Sequence, residues 1–415
     1  MADHIKETET TETAESGIIA KTFNGLTFPD IKDKAIAAVT PFNIAAAIIL
    51  AIGLPIMWIR FTQGLGAVTN LTDTYPWGIW IGFDVLCGVA LAAGGYVTAS
   101  TVYLFGLKEY KPVVRPAILT GFLGYFFVVV GLLFDLGRPW RLPFPMFVSY
   151  GTTSVMFLVA WHVALYLSVQ FLEFSPAVFE WLGWKRVRRF VASLTIGATI
   201  FGVILSTLHQ SALGALFLLT PAKLHPLWYS SYIPVFFFVS SIAAGLSMVI
   251  FESTLSHRYF PEQVDPAQHH QLDQITKGLG RAAAVVLFTY FCLKWIGVAH
   301  DDNWSYLQTG YGYWFLVELY FFVMLPALLY ISGIKRDSVL RVRMAALLSV
   351  VGIIVNRLNV SVIAFNWNLP ERYIPRWTEI MISITIVTVG LITFRWIVNR
   401  MPVLREHPEW KGRKH

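Results

Sequence analysis

At 415 residues, the chain is 56% hydrophobic and 14% charged, against roughly 25% charged in soluble proteins, which excludes a soluble enzyme. Its formal net charge of +7 falls in clusters beside apolar runs, such as Lys185-Arg186 and Arg188-Arg189, which suits membrane lipid and not nucleic acid. Cys87 and Cys292 each lie within an apolar run with no Cys-x-x-Cys spacing, so this chain cannot ligate an iron–sulfur cluster by itself.

Residues 1–35 are polar and rich in Thr and Glu. They lack the apolar core of a signal peptide and are expected to form a disordered cytoplasmic segment. Ten apolar stretches follow, each near the roughly 20 residues a helix needs to cross a bilayer. The first five are Thr40–Phe61, Pro76–Phe105, Val114–Phe134, Gly151–Phe171 and Phe190–Leu219. The second five are Trp228–Leu255, Gly278–Ala299, Tyr311–Gly333, Leu340–Ala364 and Thr378–Val398. Long uniform apolar runs form helices and not a barrel, because lipid offers backbone groups no other partners. The expected fold is therefore all-α, with an integral membrane domain over 36–400 and a cytoplasmic tail over 401–415.

The basic residues alternate from side to side. The N-terminal segment, every second loop and the tail hold 24 of the 32 Lys and Arg. The opposite side holds Arg60, Arg138, Arg141, Lys223, Lys294, Arg357, Arg372 and Arg376. Positively charged loops stay in the cytoplasm, so both termini are expected there, with an even number of spans.

Ionisable groups within spans are costly and usually line a pathway or pair with each other. Here they gather toward the outer side: Trp77, Trp80 and Asp84 in span 2, Asp135 and Arg138 at the end of span 3, His209 and Gln210 in span 5. Glu318, Asn356, Arg357, Asn359 and Glu379 lie at similar depth in spans 8 to 10. A quinone needs an apolar slot, hydrogen-bonding groups at its carbonyls and a titratable partner, and these residue types supply all three. Trp77, Trp80 and Trp140 are candidates to wall the ring. Each feature also has a plainer reading. Asp135 and Arg138 suit a helix-end ion pair, the tryptophans an interfacial belt, and the histidines structural hydrogen bonds. His162, Tyr166 and Glu173 are spaced 4 and 7 apart on one face of span 4, with Ser168 nearby. They form a candidate proton route toward the inner side.

At these residues the chain resembles the NrfD/polysulfide-reductase family of membrane subunits. The resemblance is carried by Pro76-Trp77-Gly78-x-Trp80-Ile81-x-Phe83-Asp84, Arg115-Pro116-Ala117, Asp135-Leu136-Gly137-Arg138-Pro139-Trp140, Thr207 to Gly214 and His225-Pro226-Leu227-Trp228. Phe174 to Trp184 and Phe365-Asn366-Trp367-Asn368 look closest to the HybB-type integral membrane subunit of nickel–iron hydrogenase. The resemblance covers nearly all of residues 40–400. It implies two four-helix bundles, helices 2–5 and 6–9, flanked by helices 1 and 10, in a bacterial inner membrane. It implies no haem in this chain, menaquinone or ubiquinone as the bound substrate, and a quinone pocket in the first bundle. The implied partners are a periplasmic ferredoxin-like iron–sulfur subunit and the large and small subunits of a nickel–iron hydrogenase. Carried over by motif position, the pocket residues are Trp77, Trp80, Asp84, Asp135, Arg138, His209 and Gln210.

Two other functions fit less well. A dihaem cytochrome b normally needs four axial histidines, and only His162 and His209 lie securely inside spans, enough for one haem. A secondary transporter is expected to carry inverted repeats with paired breaks, and no clear repeat is present.

Overall fold

The computed structural model describes residues 40–264 and 269–404. The N-terminal segment expected to be disordered, and the tail beyond Leu404, lie outside the described residues. Among the described residues, ten helices are long and apolar enough to cross a membrane. They are α1 (Pro41–Gln63), α2 (Trp80–Tyr103), α3 (Lys108–Asp135), α4 (Val155–Trp181) and α5 (Thr195–Leu219), then α6 (Ile233–Tyr259), α7 (Gln271–His300), α8 (Gly310–Lys335), α9 (Val339–Ile363) and α10 (Trp377–Arg400). The protein is a multi-pass integral membrane protein, and the described residues contain no strand beyond one isolated bridge between Leu224 and Phe365. The chain divides at Ile52 into two units. The first contributes only the start of α1 among the described residues, and everything below concerns the second.

Helices α2 to α5 pack against one another in ring order, as do α6 to α9, and α10 lies along α3. The two groups meet where α2 and α5 pack against α6 and where the start of α2 meets α9. A Cβ placed on Gly245 of α6 would lie 2.7 Å from the backbone carbon of Ala93. Only glycine allows that approach, and close backbone contact is how helices associate when lipid supplies no hydrophobic drive. Wide turns with a five-residue hydrogen-bond spacing interrupt α2 at Trp80–Cys87, α8 at Tyr320–Met324 and α9 at Asn359–Ile363. The first and last carry Asp84 and Asn359, in keeping with the frequency of such bulges at functional positions.

The helix ends differ from the apolar runs. The expected span Pro76–Phe105 starts late, because Pro76, Trp77 and Gly78 form an extended approach to α2. α4 continues ten residues past Phe171, through Pro176. Proline cannot donate to the carbonyl four residues back. The Ser175 hydroxyl fills that gap by donating to Leu172 O at 2.8 Å. Beyond it, buried Glu180 takes Arg115 at 3.0 Å and Arg188 at 3.2 Å, tying α4 to α3 and to the short helix Lys185–Ser193.

Loops assigned by charge to one side lie together. On the side of the basic loops, Arg115 donates to Pro402 O, Lys277 pairs with Asp337 and Arg343 with Asp273. On the other side Asn70 donates to Ile374 O, Asn366 to Thr74 O and Asn303 to Pro226 O.

Candidate functional site

The polar residues within the helices form three groups. The first sits between α2, α3, α10 and the end of α1. Asp84 on the wide turn of α2 accepts from Ser383 of α10 at 2.8 Å. Asp135, the last residue of α3, has a buried Oδ1 with no hydrogen-bond partner. Its electrostatic neighbours are Arg60 and Glu379, and Asp84 lies within range of it. Arg60 donates to Phe134 O at 2.7 Å and to Leu136 O at 2.6 Å. A cation there satisfies carbonyls that the end of α3 leaves without helical partners. Trp80 is buried, and its indole N–H donates to Glu379 O at 3.1 Å. Arg138 is exposed and forms no ion pair with Asp135 among the described residues.

The second group fills the interior of α2–α5. His209 is 0% exposed, and neither ring nitrogen has a partner. The Tyr125 ring lies 5.7 Å from His209 and 4.5 Å from the ring of Tyr166. The Tyr125 and Ser206 hydroxyls and His162 Nδ1 are also buried without partners. Gln210 adjoins Tyr125 and donates to Val89 O of α2 at 3.0 Å. On α4, Gln170 donates to the Tyr166 hydroxyl at 2.5 Å, and Glu173 accepts from Thr199 of α5 at 2.8 Å. Nearly all buried polar groups in proteins find partners, so several unpaired donors and acceptors around one histidine mark a place for water or a ligand.

The third group was named in the sequence only as scattered polar positions. Glu318 of α8 accepts from Trp228 Nε1 at 2.7 Å, from Asn356 Nδ2 at 2.6 Å, and from Asn359. Arg357 donates to Asn356 Oδ1 at 2.7 Å and to Ser240 Oγ at 2.9 Å, with its guanidinium 3.9 Å from the Phe237 ring centre. Lys294 is buried between the rings of Phe236 and Phe315. Every member of this group holds hydrogen bonds or ring contacts, so it reads as a structural clasp across α6–α9.

The sequence-derived pocket set therefore falls into two places. Asp84, Asp135 and Trp80 face α10 and α1, whereas His209 and Gln210 face the interior of α2–α5. Trp77 belongs to the outer cap, stacked on Phe365 and edge-on to Phe217. Trp140 is 70% exposed. On the expected proton route, Tyr166 and Glu173 are buried. Ser168 faces outward and donates to Ala164 O within its own helix. Along α4, which runs from Val155 to Trp181, His162 lies about midway between the first residue and the middle of the helix. Gln170 was missed. Its signal in the sequence was an amide one turn beyond Tyr166 in an otherwise apolar run.

The sequence profile described as polysulphide reductase, NrfD, matches residues 67–365. A protein of Nitratidesulfovibrio vulgaris, described only as a protein, is 57% identical over 90% of this chain and 96% of its own length. The probable Ni/Fe-hydrogenase 2 b-type cytochrome subunit of Escherichia coli is 32% identical over 83% of this chain and 88% of its own. The menaquinone reductase integral membrane subunit of N. vulgaris is 26% identical, covering 84% and 87%.

Proposed function

We propose, because this chain belongs to the polysulphide reductase NrfD family, that it is the quinone-reactive integral membrane subunit of a respiratory redox complex. It passes electrons between an iron–sulfur subunit on the periplasmic face and menaquinone or ubiquinone in the cytoplasmic membrane. The relatives described as a hydrogenase subunit and a menaquinone reductase subunit support this class, and a nickel–iron hydrogenase is the proposed catalytic partner.

The observation that carries the reading is the unpaired His209 imidazole, enclosed with the unpaired Tyr125 and Ser206 hydroxyls. Reducing a quinone takes two electrons and two protons, the electrons coming from the iron–sulfur partner. His209 is placed to donate a hydrogen bond to a quinone carbonyl and to deliver a proton there. Asp84 and Asp135, beside Arg60, form a second proton-holding group at the outer end of α2 and α3. The helices' apolar faces exclude water. Protons reach the ring along α4 through Tyr166, with His162 toward the outer end and Glu173 toward the inner.

The test is His209→Ala and Asp84→Asn in the whole complex. Quinone-linked electron transfer is expected to fall by about 10² or more, while the partner's reduction of an artificial dye is unchanged at normal complex levels. Normal quinone reduction in His209→Ala would make that residue structural.

A second reading has one observation behind it. His162 and His209 are electrostatic neighbours with unpaired ring nitrogens, the residue types that hold a b-type haem. The Tyr125 ring, in contact with both His209 and Tyr166, occupies space that a haem held by these histidines would need. A Soret band that this chain retains on purification and His162→Ala abolishes would establish the haem instead.

A further inference from the structure

Glu252 lies in α6, two turns before that helix ends at Tyr259. It is 7% exposed, and its Oε1 has no hydrogen-bond partner. The Thr120 hydroxyl of α3 interacts with it without reaching the geometry of a direct hydrogen bond. A buried carboxyl oxygen without a direct hydrogen bond is costly, so it asks for a reason beyond packing.

Glu252 borders a cavity between the first turns of α3, the end of α6 and the start of α7, lined by Pro112, Pro116, Ser256, His257 and Leu272 among others. Pro116 has no N–H to donate to the Pro112 carbonyl one turn back. Two to four polar partners and room for one molecule are what an ordered water needs. The cavity lies at the end of the bundle that carries the basic loops.

From Glu252, unpaired polar atoms lead toward His209. Thr120 adjoins Gly121, and a Cβ on Gly121 would lie 2.9 Å from Gln170 Oε1, so the Gln170 amide rests directly on that glycine. Gln170 donates to Tyr166, Tyr166 contacts Tyr125, and Tyr125 contacts His209. Glu252 Oε1, Thr120 Oγ1, Gln170 Oε1, the Tyr125 hydroxyl and both His209 nitrogens all lack partners. Vacant hydrogen-bonding atoms at successive positions suit a line of waters between titratable ends.

We propose that Glu252 is the principal proton-exchange site on the inner face, taking protons from water in this cavity and passing them through Thr120, Gln170, Tyr166 and Tyr125 to the His209 region. The proposal rests on the quinone reading and adds an entrance that the route along α4 to Glu173 lacks. His257 is the other titratable group lining the cavity.

The test uses the whole complex in proteoliposomes of known orientation, with a pH dye on the side of the basic loops. During quinone reduction, proton uptake from that side is expected to drop about tenfold in Glu252→Gln, with reduction of an artificial dye by the partner unchanged and Glu252→Asp recovering part of the uptake. Uptake equal to the unaltered complex in Glu252→Gln overturns the proposal. So does equal loss in the Gln and Asp variants with reduced complex levels, which marks a structural residue. Should the unaltered complex reduce no quinone, the functional reading falls, and a separate measurement decides the site. A hydrophobic carbodiimide, which reacts with protonated carboxyls, is expected to label Glu252 in the native complex by peptide mass mapping. Absence of label there sinks the site.

Discussion

Four aromatic residues, Trp228, Tyr306, Tyr311 and Trp367, close around His225 in the loop between α5 and α6, leaving it 1% exposed. Leu227 N–H donates to its Nδ1 at 3.2 Å, so the ring proton sits on Nε2 and the imidazole is neutral. Burial lowers its pKa to about 4 from an ordinary 6.5. The unfolded chain therefore binds a proton at a pH where the folded one does not. This contribution to stability is complete above pH 6.5 and is lost as the pH falls toward 4. The loss should reach about 1–3 kcal/mol, allowing for partial solvent relaxation. Thermal unfolding of the detergent-solubilised protein between pH 7 and 4 is expected to show it. His225→Phe, which keeps the ring packing, should flatten the slope, and an unchanged slope would assign the acid sensitivity elsewhere. His225 was legible in the sequence only as part of the His-Pro-Leu-Trp motif. Its aromatic cage adds to Trp228 of that motif two segments distant in sequence, Tyr306 with Tyr311 and Trp367, which no local pattern reveals.

At the scale of the helices, what the sequence displayed well was each apolar run, and what it displayed poorly was where each helix stops. A run ends in sequence at its first charges, yet Glu173 and Glu180 are buried because Thr199, Arg115 and Arg188 meet them from other elements. Pairing between helices hid the site in the same way. Asp135 finds its cation in Arg60 of α1 and not in Arg138, three residues on. The polar groups of α6–α9 were visible as residue types but not as one network. That network makes a definite prediction. Glu318 accepts from two asparagines and a tryptophan and lies within electrostatic range of Arg357 and Lys294. Glu318→Ala removes a carboxylate beside those buried cations, which should destabilise the bundle by about 3–5 kcal/mol. Loss of folded protein in fluorescence-detected size exclusion, with Glu318→Gln far less affected, is the expected result. Normal thermal stability in Glu318→Ala would show that water already screens these cations.

For the whole molecule, the alternation of basic loops and the contacts between loops are independent observations that agree. The pairs Arg115–Glu180, Lys277–Asp337 and Arg343–Asp273 join only loops assigned to the basic side. Contacts such as Asn70 to Ile374 and Asn366 to Thr74 join only loops assigned to the other. A miscount of one span would have crossed the two sets. The ends of the bundle are thus sorted by geometry, and the charge rule predicts that the basic side faces the cytoplasm. Under that orientation the functional proposal has Asp84 and Asp135 toward the periplasmic face and the Glu252 cavity toward the cytoplasm. Electrons then enter at one face and protons at the other, so each quinone reduced would carry charge across the membrane. Alkaline phosphatase, active only outside the cytoplasm, tests the orientation directly. A fusion after Pro226 should be active and one after Lys185 inactive. The reverse pattern would turn the molecule over, placing the Glu252 cavity on the periplasmic side and reversing the sense of the charge movement.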